Sequence, residues 1–283
     1  MAATPTIAIV GPGNLGSALA NSLRSAGFTI LEIISRDSRT WFRKSRALPG
    51  QSGARHTTPK NARLDADVIW LCVPDREIAA AARLLAPRTG WKGKVALHSS
   101  GALASDQLQV LRRKGAAVAS LHPLMTFVRG SQPRLAGVPF AVEGDAKAVR
   151  VARRIVRDLK GDIFSIPKDK KAAYHTWGAF TSPLLLAALV TAEEVAGIAG
   201  ISRARARKKM LPIVAQTLAN YAALGPERAF SGPIIRGDAS TVSAHLKALS
   251  KAPAAREVYL ALARSAMRNL PARNRKALQK ILG

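Results

Sequence analysis

Two sets of residues in this sequence have types and spacings suited to chemistry. Gly11, Gly13 and Gly16 form a G-x-G-x-x-G turn, directly after the β-branched run at residues 6–10 and directly before an alanine- and leucine-rich stretch. Strand, glycines, helix is the setting in which this pattern binds a dinucleotide. Gly11 permits a tight turn, Gly13 lets the backbone approach a pyrophosphate, and Gly16 lets the helix pack close to the sheet. Asn14 and Leu15 complete the turn, where the free N–H groups of a helix N-terminus favour phosphate. Without a ligand the same glycines would make a packing turn. The second set is Lys171 and His175, four residues apart and so on one helical face, continued by Gly178 and Ser182. A buried lysine and an imidazole on a shared face suit proton transfer. The alternative puts Lys171 in the solvated Lys-Asp-Lys-Lys start of the helix.

The end of the second strand discriminates between nucleotides. NAD-binding folds commonly place an acid there, about 20 residues past the glycines, to hold the ribose 2′-hydroxyl. This chain has Ser35 and Arg36. A hydroxyl and a planar guanidinium suit a 2′-phosphate, which favours NADP over NAD. Asp37 is the alternative acid if the strand ends two residues later. Arg39 and Arg43 are further candidate phosphate partners.

Other candidates fall where strands end. Val73 and Pro74 close the third apolar run and border the expected nucleotide. The run His98-Ser99-Ser100-Gly101 precedes a helical pattern. Ser99 is placed at the cofactor, and Ser100 and Gly101 at the substrate. N-capping is the alternative for the serines. His122 ends the next strand, before Pro123. Arg236, in the loop Ser-Gly-Pro-Ile-Ile-Arg-Gly-Asp, is a candidate clamp for a substrate carboxylate. The five histidines are scattered and the one cysteine, Cys72, lies in an apolar run, so neither a metal site nor a disulfide is expected.

The elements that must position these residues alternate up to Pro167. Strands at 6–11, 28–35, 66–75, 94–101, 116–124, 139–145 and 162–167 are interleaved with helices at 13–26, 76–87, 103–115 and 146–161. That spacing implies βαβ units and a doubly wound parallel sheet. Residues 38–64 are polar and basic, with at most a short helix. After Pro167 only helical patterns remain, beginning with a long run apolar on nearly every face. The expectation is an α/β Rossmann domain over 1–167 and an all-α domain over 168–283. The apolar surface of the helical half predicts a homodimer through it. The apolar run contains Pro183, Glu193 and Glu194, so no membrane span is expected. Nor is a secretory signal expected, and the prior is a cytoplasmic enzyme. Pro183 should free a carbonyl near residue 179 and bend the helix.

The formal net charge is +27. Such a surface attracts nucleic acid or anionic lipid. The excess is shared, however: residues 1–167 carry 25 basic and 11 acidic side chains, and residues 168–283 carry 19 and 6. Without a basic stripe interleaved with aromatic residues, nucleic-acid recognition is the weaker reading.

The strings GPGNLG, DVIWLCVPD, HSSGAL, SLHPLMTF, KAAYH and GPIIRGDASTVSAHL carry a resemblance over nearly the whole chain. It resembles the Rossmann-like proteins with a DUF2520 C-terminal domain, in the wider group of pyrroline-5-carboxylate reductase, 6-phosphogluconate dehydrogenase and ketopantoate reductase. The resemblance implies an NAD(P)-dependent oxidoreductase and a homodimer, with Lys171 as the candidate catalytic lysine. One departure stands out: Ser182-Pro183 replaces the family's usual Ser-Asn. The resulting expectation is an NADP-dependent reductase or dehydrogenase of a small carboxylate-bearing 2-oxo acid or imine. A nucleotide-binding sensor or scaffold without turnover is the alternative, and a basic nucleic-acid or membrane-surface binder the third reading.

Overall fold

A computed structural model describes residues 4–36, 53–131 and 133–283. Asp37, Arg39 and Arg43 lie outside the described residues. Contacts divide the chain into two compact units, Met1–Ala179 and Phe180–Gly283.

The first unit is built on a sheet of eight strands among the described residues: β1 (Ile7–Val10), β2 (Ile30–Ile34), β3 (Arg55–Thr57), β4 (Val68–Leu71), β5 (Val95–His98), β6 (Ala117–Pro123), β7 (Pro139–Gly144) and β8 (Asp162–Ser165). Their order is β3-β2-β1-β4-β5-β6-β7-β8. Pairing is parallel throughout, except where β7 runs antiparallel to β6. The continuous apolar runs become the central strands because both their faces are covered. Ile7 and Ile9 pack with Leu19 and Leu23 of helix α1 (Asn14–Ser25) on one face. Ala8 and Val10 pack with Ile78, Ala82 and Leu85 of helix α2 (Asp75–Leu85) on the other. Helix α3 (Ala146–Asp158) shares the α1 face through Ala148, Ala152 and Ile155. The carboxyl ends of β1, β2, β4, β5 and β6 therefore share one edge, which carries Gly11, Ser35, Val73, Ser100 and His122.

Three elements differ from the sequence expectation. Strand β3 falls in the polar segment expected to hold at most a short helix. Its anchor is Glu32 of β2, 4% exposed, whose carboxylate accepts from the Arg63 and Leu64 amides at 3.0 and 2.8 Å. Arg55 adds an ion pair to it at 3.5 Å. The helix expected over 103–115 shrinks to a 3₁₀ turn, Ser105–Leu108, and one α turn, Gln109–Arg112. The Ser105 amide and hydroxyl are drawn instead to the Glu143 carboxylate at 2.6 and 2.9 Å. The long apolar helix is two helices, α4 (Lys171–Thr181) and α5 (Pro183–Ile198). The break is Ser182, at φ −129° and ψ −80°, which the ring of Pro183 holds out of the helical region. The compositional change after Pro167 thus precedes the contact boundary, because the first turns of α4 pack on the sheet.

The second unit comprises α5, α6 (Arg203–Ala229, broken at Gly225), α7 (Ala239–Ala248), α8 (Pro253–Asn269) and α9 (Arg275–Leu282). Val242, Leu246, Ala263, Met267 and Leu278 form its core. Helices α5 and α6 are joined by a bidentate pair, Arg207 to Glu193, at 2.7 and 2.9 Å. Both expose large apolar side chains, among them Leu186 at 63%, Ile213 at 68% and Tyr221 at 59%. By length and composition alone, Lys168–Ile198 is apolar enough to cross a membrane. The break at Ser182 leaves α5 only 16 residues. That is about 24 Å at 1.5 Å per residue, short of the ~30 Å of a hydrocarbon core.

Candidate functional site

The glycine turn stands at the switch point, where β1 is flanked by β2 and β4. Gly11 has φ +90°, and a Cβ there would meet Val73 Cγ1 at 2.7 Å and the Cys72 carbonyl at 2.9 Å. Gly16 packs so closely on the Gly11 carbonyl that a Cβ would collide with it. Gly13 has nothing within 4 Å of the same position. Two glycines are therefore needed to build the turn, and the third faces open space where a ligand's phosphates would lie. Helix α1 begins here with no side-chain cap and no acid in its first turn. Its first N–H groups and partial positive charge are left for an anion.

A cavity of about 540 Å³ opens beside this turn. Of the residues expected to hold a nucleotide, it brings together Gly11, Gly13, Ser35, Arg36, Val73 and Pro74. Its volume suits a ligand of nucleotide size. Arg36 reaches Glu77 of α2 at 3.2 Å with its side chain 80% exposed. Asn14, Leu15, Gly16 and Ser99 do not line the cavity. The Asn14 amide donates to the Phe127 carbonyl at 3.1 Å, and Leu15 packs against the core. The Ser99 hydroxyl is buried and accepts from Trp70 Nε1 at 2.8 Å.

A second cluster sits on the same edge, at the ends of β5 and β6. Lys171 opens α4 and turns inward, 2% exposed. Its ammonium donates to the Ser100 carbonyl at 2.8 Å and to Ser120 Oγ at 2.5 Å. Burial lowers its pKa to about 8, against the pull of Glu143 and then Asp75. Ser100 is 4% exposed, and its hydroxyl donates to Asp75 at 2.8 Å while accepting from the Leu103 and Ala102 amides. That hydroxyl is occupied in building the loop before the 3₁₀ turn, whose N-cap is Ala104. His98 is fully buried: its Nδ1 accepts from the Ser100 amide at 3.1 Å and its Nε2 lies 3.0 Å from the Ala104 carbonyl. Burial lowers its pKa to about 4.

His175 and His122 stand over this base. His175 is exposed and His122 half-buried, with ring centroids 6.2 Å apart and planes at 80°. Gly101 lies between them: a Cβ there would come within 2.6 Å of His175 Cδ2 and 2.9 Å of His122 Nε2. Lys171, Ser100, Gly101, His122 and His175 are thus assembled within one unit. Tyr174 joins them, its hydroxyl 2.7 Å from His122 Nδ1. Neither Tyr174 nor Ser120 was singled out by residue type and spacing, and Asp75, in the loop after the third apolar run, serves the Ser100 hydroxyl. Tyr174 was legible in principle, as the residue next to His175 in Lys-Ala-Ala-Tyr-His. Ser182 and Arg236 belong to the second unit, where Arg236 lines a cavity of about 470 Å³ with Arg273 and Arg275.

Two family models match the chain: a Rossmann-like domain over residues 2–123 and the domain of unknown function DUF2520 over residues 138–266. The similar solved structures include these three. A Bacteroides fragilis protein assigned as an NADP oxidoreductase is 21% identical, with 92% of this chain and 97% of that one covered at a TM-score of 0.76. A Thermotoga maritima protein is 21% identical over 97% and 99%, at 0.72. The imine reductase of Myxococcus stipitatus in complex with NADP+ is 17% identical over 99% and 100%, at 0.67. At these identities the likeness is one of fold. No curated protein matches the chain.

The glycines separate folding from binding. Gly13→Ala should leave the thermal midpoint unchanged and weaken NADPH binding at least tenfold, because only the ligand competes for that space. Gly16→Ala should lower the midpoint by several degrees, because Cβ displaces the Gly11 carbonyl. Thermal unfolding and fluorescence titration of both variants check this.

Proposed function

The chain belongs to the Rossmann-like proteins with a DUF2520 domain, and from that premise we propose that it is an NADP-dependent reductase acting on a small 2-oxo acid or imine that bears a carboxylate. The observation that carries the reading is the uncapped glycine turn and its cavity, on the same sheet edge as the exposed His175 and the half-buried His122. The NADP+ complex of the similarly folded imine reductase supports it. The residues present fit the nucleotide: Gly13 leaves room for a pyrophosphate, α1 offers N–H groups, and Ser35 and Arg36, which line the cavity, would hold a 2′-phosphate.

When bound, the nicotinamide supplies a hydride. His175 gives the proton: it is exposed, so water replaces what it donates. Lys171, enclosed as it is, touches no substrate in this reading; its cation secures the Ser100 backbone and so the loop carrying Gly101. Arg236, with Arg273 and Arg275, forms a cationic pocket in the second unit suited to a carboxylate. We take a second copy to cover the apolar faces of α5 and α6, where Leu186, Ile213 and Tyr221 stand exposed.

NADPH oxidation with cyclic imino acids and 2-oxo acids tests the activity. Turnover supports the reductase, binding without turnover the sensor, and no binding of either nucleotide overturns both. Arg36→Asp removes a phosphate partner and sets a second carboxylate beside Glu77. It should weaken NADPH about tenfold to a hundredfold, the range of one charged hydrogen bond, and leave NADH nearly unchanged. For the oligomer, light scattering should give the mass of a dimer, and a structure of that dimer an interface of more than about 1,000 Å². Ile213→Asp should dissociate it, and a monomeric wild type would refute the pairing.

A further inference from the structure

We propose that His122 is a fixed hydrogen-bond donor, presenting Nε2–H to an oxygen of the bound substrate, and that Tyr174 is the positioning residue that holds it in that tautomer. The proposal rests on the reductase reading and narrows its chemistry.

The two nitrogens of His122 have different surroundings. Nδ1 lies 2.7 Å from the Tyr174 hydroxyl. Tyr174 is 7% exposed, and burial pushes its phenol up to about 12, so it keeps a proton to donate. A protonated phenol can donate or accept here; we assign it as the donor, which makes Nδ1 the acceptor and leaves the ring's one proton on Nε2. The phenol is held in place: its ring meets His122 edge-on at 5.5 Å, and Phe164 and Trp177 pack against it at 6.0 Å each. Nε2 makes no hydrogen bond to another described residue. It points past Gly101 toward His175, into space that any side chain at 101 would fill.

The surroundings also keep the ring neutral. Lys171 and His175 face it from α4 and His98 from β5, and each disfavours a second proton. Burial is the larger cause, and together they lower the His122 pKa to about 4. A neutral ring with a fixed N–H does not trade protons at pH 7; it donates a hydrogen bond. The division of labour between the imidazoles follows, with His175 exchanging the proton and His122 orienting and polarising the substrate. A protonated imine nitrogen has no lone pair to accept such a bond. The acceptor is therefore an oxygen, either the carbonyl of a 2-oxo acid or the carboxylate attached to an imine carbon.

The tautomer is read on the full chain with ¹⁵N-histidine, from the long-range couplings of the His122 ring at pH 7. The expected pattern is an unprotonated Nδ1 and a protonated Nε2, shifting toward a mixture in Tyr174→Phe. A protonated Nδ1 or an imidazolium overturns the proposal, and the wild-type spectrum decides it even if the variant does not fold. This readout needs no turnover, so it stands apart from the failure of the reductase reading. With a turned-over substrate, His122→Ala should lower kcat about a hundredfold, the usual cost of one lost donor at a developing charge. His122→Gln, which keeps an N–H near the Nε2 position, should recover at least tenfold of that loss. Equal losses in the two variants would overturn the donor role.

Discussion

The ammonium of Lys171 is the constraint on which the rest of this site depends. Taking a charge out of water costs several kcal/mol unless its hydrogen bonds are replaced. Here the Ser100 carbonyl and the Ser120 hydroxyl replace two of them, and the buried Glu143 and the exposed Asp75 lie near enough to oppose the loss of charge. These partners come from the loop after β5 and from β6, β7 and α2, so one side chain binds the start of α4 to the middle of the sheet. The cost is not fully recovered, as the pKa lowered to about 8 records. Between about 8 and 10.5 the unfolded chain holds a proton that the folded chain has released, so this group adds stability as pH rises through that window.

The placing of the two imidazoles follows from this anchor. With Lys171 pinned, Tyr174 lands one turn on against His122, and His175 lands over Gly101. The absence of a side chain at 101 lets both imidazoles approach the loop. The glycine turn occupies the same edge, because every parallel strand from β2 to β6 ends there. Nucleotide cradle and imidazole pair are thus products of one parallel sheet with one anchored helix, the usual place for ligands in open α/β folds.

The sequence made much of this legible. Apolar runs such as Val68–Leu71 marked strands covered on both faces, and glycines between strand and helix marked the turn. Spacing put Lys171 and His175 on related faces of one helix. What spacing left open was depth: lysine four residues before histidine says nothing of which is buried, and the answer lies in Ser100 and Ser120, far off in the chain. The same limit hid β3, a polar edge strand fixed by Glu32, and the hydroxyl of Ser100, taken up by Asp75. Elements set by periodicity were readable; those set by one distant polar partner were not.

The buried charge of Lys171 is the feature to test. The direct test is the titration of Lys171 itself in the full-length protein, followed by NMR of the ¹³Cε-labelled side chain and assigned with Lys171→Met. The arrangement predicts a midpoint of about 8. A midpoint at 10.5, that of a solvated lysine, would mean the ammonium does not lie between Ser100 and Ser120, and the site built on it would not exist.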